Sequence, residues 1–357
     1  MHVLLAAGGT AGHIEPALNL ADALRRLDPT VTITVLGGER GLEGSLVPAR
    51  GYDLVTVPSV PMPRKPNADL LRLGPRVRTA VARAADVIRE RAIDVVVGFG
   101  GYAAVPGYLA ARRTRTPLVI HEANARPGIA NRLGARFTPH VYASVAGAMP
   151  GARPMALPLR HAISSLDRAA GRDVARAEFG LSQTDPVLLV FGGSQGAARL
   201  NAVVGAAAPH LTAAGVQILH SYGARNTAPD AAPGYVPVPY LERMDLAYAA
   251  ADVALTRAGA MTCAELAAVG LPAIYVPLPI GNGEQRINAQ PVVGAGGGIL
   301  IEDADLTSEW LIATVVDLLH DDDRLRTMSA AAAGLGVRDA DEQLARIVVR
   351  VAQGGGR

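Results

Sequence analysis

Two stretches of this chain open alike, and their spacing constrains the fold more than any other feature. Val3-Leu4-Leu5-Ala6-Ala7 runs into Gly8-Gly9-Thr10-Ala11-Gly12-His13, and Leu188-Leu189-Val190-Phe191 runs into Gly192-Gly193-Ser194-Gln195-Gly196-Ala197. The second glycine turn begins 184 residues after the first, about half of the 357-residue chain. A short apolar run that ends in glycines reads as a buried strand turning sharply into a helix. After the first opening, Val31–Leu36, Leu54–Val57, Ile93–Val97 and Leu118–His121 read as further buried strands, with helical patterns over Pro16–Leu27 and Asp69–Arg91. In the second half the strands are Val187–Phe191, Gln217–Leu219, Val253–Leu255, Ala273–Val276 and Gly298–Ile301, separated by helical stretches at Ala197–Leu211, Met261–Val269 and Leu306–Leu319. Short buried strands alternating with helices predict right-handed βαβ units and parallel sheets covered on both faces. The expectation is α/β architecture: two doubly wound, Rossmann-like domains over residues 1–161 and 162–340, linked near Pro158–Ser165. A last helix at about 341–357 is expected to return to the first domain.

Composition removes several functions. Half of the residues are hydrophobic and 18% are charged, so large cores are within reach and a disordered chain is not. No segment supplies the ~20 apolar residues of a membrane-spanning helix, and the N-terminus lacks the basic region of a signal peptide. A soluble chain working in the cytosol is therefore expected. The lone Cys263 excludes a disulfide framework and a cluster of thiolate metal ligands. Lys65 is the only lysine, and no Gly-Lys-Ser/Thr follows a glycine loop, which removes the usual triphosphate P-loop. A net charge of +2 gives no bulk attraction for nucleic acid.

A glycine turn that opens a helix presents unpaired N–H groups and a positive helix end, a natural cradle for a diphosphate. Thr10 and Ser194 add a hydroxyl to each turn. Three other readings compete. Gly98-Phe99-Gly100-Gly101-Tyr102-Ala103 fits a dinucleotide fingerprint with Glu122 about 20 residues on, but it follows roughly the fourth strand rather than the first. Gly192-Gly193-Ser194-Gln195-Gly196 fits a nucleophile elbow with Asp252 or Asp305 and His320 as partners, but a single nucleophile does not account for a duplicated turn carrying Thr10. A two-lobed binding protein without chemistry fits the glycines equally well.

Five segments taken together decide among these: Gly8 to Ala17, Gly98 to Tyr102, His121 to Asn124, Gly192 to Asn201, and Arg257 to Glu265. In this order they closely resemble the MurG family, the undecaprenyl-diphospho-muramoylpentapeptide N-acetylglucosaminyltransferases of peptidoglycan synthesis, within glycosyltransferase family 28. Gly281 to Arg286 with Asn288-Ala289 fits the same family. The resemblance implies a GT-B fold, two Rossmann-like domains with a cleft between them. It also implies inverting transfer of N-acetylglucosamine from its UDP form to the C4 hydroxyl of the muramoyl residue of lipid I, giving lipid II. The alternative is another UDP-sugar GT-B enzyme acting on a glycolipid or a small acceptor.

Carried over by position, the resemblance places Gly193, Ser194 and Gln195 at the UDP diphosphate, with Arg160 as a charged partner. Glu265 would accept from the ribose hydroxyls, and backbone near Leu241 would meet the uracil. Gln285 and the turn Ala260, Met261, Thr262 would contact sugar and diphosphate; Thr10, Ala11, Gly12 and Asn124 would reach in from the first domain. The plainer readings are a surface arginine for Arg160, a first-turn helix acid for Glu265 and a helix cap for Asn124. His13 is the first candidate for the base, because an imidazole titrates near neutrality; Glu122 and His121 come second. No metal or cofactor is called for if helix N-termini and Arg160 carry the leaving-group charge. The Asp-x-Asp pattern at Asp321–Asp323 then reads as a solvated loop. Ala11 stands where the family commonly has glycine, which predicts some loss of backbone freedom in the first loop.

Lipid I is a membrane substrate. Residues 64–91 hold eight basic residues against Asp69, Asp86 and Glu90, a net +5, with Leu70, Leu71, Leu73, Val77 and Val81 interleaved. Such a segment can rest on anionic lipid, with Arg72, Arg76 and Arg78 as its charges. The plainer reading is a solvated helix face whose leucines pack on the domain. Peripheral attachment at the cytoplasmic face of the cell membrane, alongside other wall-synthesis proteins, is the expectation.

Overall fold

The computed structural model describes residues 1–39, 41–58, 69–192, 198–279 and 283–354, with backbone alone for 69–73. The chain divides into two compact units, Met1–Arg160 with Asp339–Arg357, and His161–Arg338.

The first unit runs β1 (His2–Ala7), α1 (Ala11–Leu27), β2 (Thr32–Gly38), α2 (Glu43–Ala49), β3 (Asp53–Val57), α3 (Asp69–Glu90), β4 (Val95–Gly100), α4 (Ala104–Thr114), β5 (Leu118–Glu122), α5 (Ile129–Gly134), β6 (His140–Ala143) and β7 (Arg153–Pro154). The second runs α6 (His161–Ser164), α7 (Arg168–Glu178), β8 (Val187–Phe191), α8 (Ala198–Ala213), β9 (Gln217–Ser221), β10 (Tyr235–Val238), α9 (Met244–Ala250), β11 (Val253–Thr256), α10 (Ala260–Val269), β12 (Ala273–Tyr275), α11 (Glu284–Gly294), β13 (Gly298–Leu300), α12 (Ser308–Leu319) and α13 (Asp322–Ala333). The final helix, α14 (Ala340–Ala352), belongs to the first unit.

Every strand pair of the two sheets is parallel. The orders are β3-β2-β1-β4-β5-β6-β7 and β10-β9-β8-β11-β12-β13, so both units share one winding. The duplicated openings are the two central strands. Alternate residues of β1 enter opposite cores: Val3, Leu5 and Ala7 pack on the α1 and α14 side, Leu4 and Ala6 on the α3 and α4 side. In β8, Val187, Leu189 and Phe191 face one core while Leu188 and Val190 face the other. Burial on both faces is why these strands read as unbroken apolar runs rather than alternating ones.

In each sheet the strand order reverses direction beside the central strand, between β1 and β4 and between β8 and β11. Such a switch point leaves a crevice beyond the C-terminal strand ends, where open α/β sheets bind ligands. Helix α14 lies along α1, with Leu344, Val348 and Val351 in the first unit's core and Asp341 ion-paired with Arg26.

Several elements have no clear trace in the apolar pattern, among them α2, α5, β7 and β10. They are two to seven residues long, too short to show a period.

Candidate functional site

In the first unit, the turns after β1, β4 and β5 meet at the switch point. Gly9 adopts φ +92 and so needs to be glycine, whereas Ala11 is the first residue of α1. A helical position tolerates alanine, so the expected loss of backbone freedom at Ala11 does not arise. The amide groups of Ala11 and Gly12 have no acceptor among the described residues, as usual for a first helical turn.

The glycines after β4 are explained by packing. A Cβ on Gly98 would stand 2.1 Å from the Tyr108 ring, and one on Gly101, at φ +83, would stand 2.0 Å from the Gly8 carbonyl oxygen. Gly100 lies under His13, 3.2 Å from its Cδ2 if a Cβ were added. The dinucleotide-like spacing thus lets the β4 turn touch the β1 turn.

His13, in the first turn of α1, has Nδ1 3.1 Å from Thr10 Oγ1. Burial holds its pKa below the ordinary 6.5, while Glu122, the Gly8 carbonyl and Glu43 pull in the other direction. The imidazole is therefore neutral at neutral pH. The tautomer sets which of Thr10 Oγ1 and Nδ1 donates; in the tautomer where Nδ1 donates to Thr10, Nε2 carries the lone pair.

Glu122 is buried at the end of β5 with its oxygens already engaged. Oε1 accepts from the Asn124 N–H at 2.9 Å, and Oε2 from the Gly128 N–H at 3.1 Å and Asn131 Nδ2 at 2.9 Å. Asn131 also accepts from the Tyr108 hydroxyl at 2.7 Å, which in turn accepts from the Gly100 N–H. Glu122 thus shapes the β5–α5 turn and lends His13 negative charge. Asn124 sits in that turn against Glu122, while the N-cap of α5 is Gly128. His121 is fully buried, its Nε2 3.1 Å from the Ala156 carbonyl and its ring against Phe99. Burial lowers its pKa. Arg160, among the bonds it makes, pairs with Glu15 at 3.2 Å, and Glu15 also takes Arg50. Any role at a diphosphate requires Arg160 to share or leave Glu15.

In the second unit, β8 leads to Gly193, Ser194 and Gln195, which lie outside the described residues. Strand β11, paired with β8, leads through Arg257 and the Gly259 N-cap into α10. The Ala260, Met261 and Thr262 amides have no acceptor among the described residues, and the first intrahelical bond is Cys263 N–H to the Gly259 carbonyl, 2.9 Å. Glu265 is the sixth residue of α10, not a first-turn acid, and is buried. Its Oε2 accepts from the Tyr248 hydroxyl at 2.8 Å. Gln285, near the start of α11, accepts from the Leu278 N–H at 2.9 Å through Oε1 and so pins the ends of the segment between them. Leu241, on the β10–α9 connection, is buried in the second unit's core, the cluster that Val236 and Met244 also pack against.

Arg257, nearly buried, donates to the Val276 and Pro277 carbonyls and pairs with Asp303 at 2.6 Å. It holds the ends of β11 and β12 together below the α10 turn. Burial pushes the Cys263 thiol up to about 12, which makes it a poor nucleophile.

The residues proposed for a hydrolase triad are tied elsewhere. Asp252 binds Arg172, Arg176 and the Val187 N–H, and His320 Nδ1 lies 2.8 Å from the Val316 carbonyl at the end of α12. Asp321 caps α13 by accepting from the Arg324 N–H, with Asp322 and Asp323 in its first turn, so the Asp-x-Asp pattern is a helix start rather than a loop. Among the described residues no group of three His, Cys, Asp or Glu stands together as metal ligands.

On α3, Ala80, Ala84, Ala85, Val87 and Ile88 are buried in the core, while Arg76 and Arg78 are exposed. The side chains of Leu70, Leu71, Arg72 and Leu73 lie outside the described residues. No helix among the described residues is long and apolar enough to cross a membrane.

Glu43, Tyr248, Asn131 and Arg257 hold these half-sites together, yet sequence alone gives them no role. Arg257 opens one of the five family-like segments, and Glu43 follows Gly37, Gly38 and Gly41 in a stretch that also holds Glu39.

Comparison with known proteins places this geometry. Residues 3–143 match the glycosyltransferase family 28 N-terminal domain, and residues 187–344 the family 28 C-terminal domain. The chain is 60% identical over 354 residues to the UDP-N-acetylglucosamine–N-acetylmuramyl-(pentapeptide) pyrophosphoryl-undecaprenol N-acetylglucosamine transferase of Streptomyces avermitilis, covering 98% of each chain. The Streptomyces collinus protein of the same name is also 60% identical, again over 98% of each chain. Among solved structures, Acinetobacter baumannii MurG superposes with a TM-score of 0.78 at 26% identity, over 98% of this chain and 99% of that one.

Proposed function

The chain belongs to glycosyltransferase family 28, with a two-domain GT-B fold, and we propose from that premise that it is the N-acetylglucosaminyltransferase that converts lipid I to lipid II. The observation that carries this reading is 60% identity along nearly the whole of both chains to a transferase of that name. The matched 354 residues run through both units, the acceptor side as well as the donor side.

In this reading the second unit holds UDP-N-acetylglucosamine. The free amides of Ala260, Met261 and Thr262, together with Gly193, Ser194 and Gln195, bind the diphosphate. Glu265, oriented by Tyr248, accepts from the ribose hydroxyls. Gln285 contacts the sugar, and backbone near Leu241 the uracil. The acceptor's C4 oxygen attacks the sugar's anomeric carbon as the bond to the diphosphate oxygen breaks, inverting that carbon. The hydroxyl proton passes to His13 Nε2, and UDP leaves with the electron pair. Helix-end N–H groups stabilise the departing charge without a metal, as oriented donors do for other developing anions. Arg160, freed from Glu15, adds to them. Thr10, Ala11, Gly12 and Asn124 border the acceptor.

The charges of the two units support attachment to an anionic membrane. The first carries 23 Lys and Arg against 14 Asp and Glu, a net +9; the second carries 11 against 18, a net −7. An anionic surface attracts the first unit and repels the second, which orients the enzyme on the cytoplasmic face where lipid I is presented.

The deciding experiment is transfer of labelled N-acetylglucosamine from UDP to a short-chain lipid I analogue, read as the disaccharide's mass. No product, with UDP-N-acetylglucosamine still raising the Tm, would displace the acceptor assignment in favour of another glycolipid or a small acceptor. No thermal shift either would remove the donor.

A further inference from the structure

Behind the first glycine turn lies a carboxylate that the proposed chemistry does not use. Glu43, the first residue of α2, is 1% exposed. Its Oε1 accepts from the Gly9 N–H at 2.8 Å and the Gly38 N–H at 3.2 Å. Its Oε2 is buried with no hydrogen-bond partner among the described residues. Three glycines leave room for it: an added Cβ would stand 2.4 Å from Oε1 at Gly8, 2.9 Å from Cγ at Gly37 and 2.0 Å from Oε2 at Gly41. A buried carboxylate oxygen without a donor weakens the fold. A site that keeps one, and gives up three side chains around it, is shaped by something other than stability.

The turn that Glu43 grips leads directly to His13. Gly9 precedes Thr10, the N-cap of α1, whose hydroxyl makes no cap bond and instead meets His13 Nδ1. Holding the Gly9 amide therefore fixes where Thr10, and with it the imidazole, can stand. The grip also takes the Gly9 N–H away from any ligand, leaving the Thr10, Ala11 and Gly12 amides without an acceptor among the described residues.

We propose that Glu43 is a positioning residue for the transfer reaction: it anchors the first glycine turn from behind and places a fixed negative charge beside His13. The inference rests on His13 acting at the acceptor hydroxyl. Among the described residues, the groups acting on or lying against His13 are Glu122 from β5, Glu43 from α2, Thr10 and the Gly8 carbonyl from its own turn, and the Gly100 backbone from β4. Of these only the two glutamates carry charge, and both favour the protonated imidazole.

Two variants separate charge from reach. In Glu43→Gln an amide oxygen takes the place of Oε1 and keeps both backbone bonds, while the charge is gone. The acid limb of the pH profile of kcat/KM is then expected to move to lower pH, with KM for UDP-N-acetylglucosamine within about twofold of wild type, because the donor lies in the other unit. In Glu43→Asp the charge stays but the shorter side chain releases the turn. Here kcat is expected to fall by about 10- to 100-fold, the size of effect that misplacing a reacting group by an ångström produces. Wild-type kcat and pH profile in both variants would overturn the inference, as would collapse of the fold in both, which would make Glu43 a stability element. His13→Gln, assayed in parallel, isolates the underlying reading: if it keeps wild-type kcat, His13 is not the base whatever Glu43 does.

Discussion

The Tyr248 hydroxyl donates to Oε2 of Glu265 across 2.8 Å, joining the last turn of α9 to the second turn of α10. Both residues are buried, so the carboxylate beside the α10 N-terminus is held in one direction by a hydroxyl that has no solvent to turn to. Tyr248→Phe removes that bond at a cost of about 1 kcal/mol of orientation. KM for UDP-N-acetylglucosamine is expected to rise about fivefold with kcat little changed. Glu265→Ala should raise it further, and equal KM values in Tyr248→Phe and wild type would detach Tyr248 from donor binding.

His13→Gln keeps a polar side chain in the first turn of α1 but offers no base. A drop in kcat of roughly 10²- to 10⁴-fold is expected, with binding of UDP-N-acetylglucosamine, measured by calorimetry, unchanged.

Gly101→Ala puts a methyl group 2.0 Å from the Gly8 carbonyl oxygen, on a backbone at φ +83. Strain and overlap together should cost about 1–3 kcal/mol or more and push the two glycine turns apart. Lower Tm and lost transfer should appear together, whereas Gly12→Ala, whose Cβ would meet Thr10 Oγ1 at an ordinary 3.8 Å, should keep the wild-type Tm.

His220 is fully buried between Tyr235 and Asn201, and burial lowers its pKa from 6.5 to about 4. Because the folded value lies below the unfolded one, the unfolded chain binds the extra proton. Stability is full above pH 6.5 and declines as pH falls toward 4, by about 3 kcal/mol at most for this one group. Urea unfolding of wild type and His220→Gln at pH 7 and pH 5 should give stabilities that lie closer together at the lower pH.

Arg72, Arg76 and Arg78 replaced together by Glu would reverse six units of charge in α3. Pelleting with vesicles rich in anionic phospholipid should then fall sharply, while transfer to a soluble acceptor analogue persists. Undiminished pelleting would place the membrane contact elsewhere on the first unit.

Sequence by itself determined the architecture. Strands such as β1 and β8 are buried on both faces, so their apolar runs, their glycine ends and the 184-residue offset survive without any knowledge of neighbours. The linear motifs that carry the family resemblance are local too, because a turn and the helix it opens are contiguous. What depends on distant partners was decided only by the tertiary structure. Glu43 reaches Gly9 across 34 positions, Tyr248 reaches Glu265 across 17, and Gly101 owes its identity to Gly8. Glu265 reads in sequence as a favourable helix acid, and only burial against α9 makes it a directed acceptor. The glycines after β4 mimic a dinucleotide motif until packing shows what each one avoids. A pattern along the chain records which residues must be buried or must bend; which side chain meets which backbone amide is set by the winding of the sheet, and no local period encodes that.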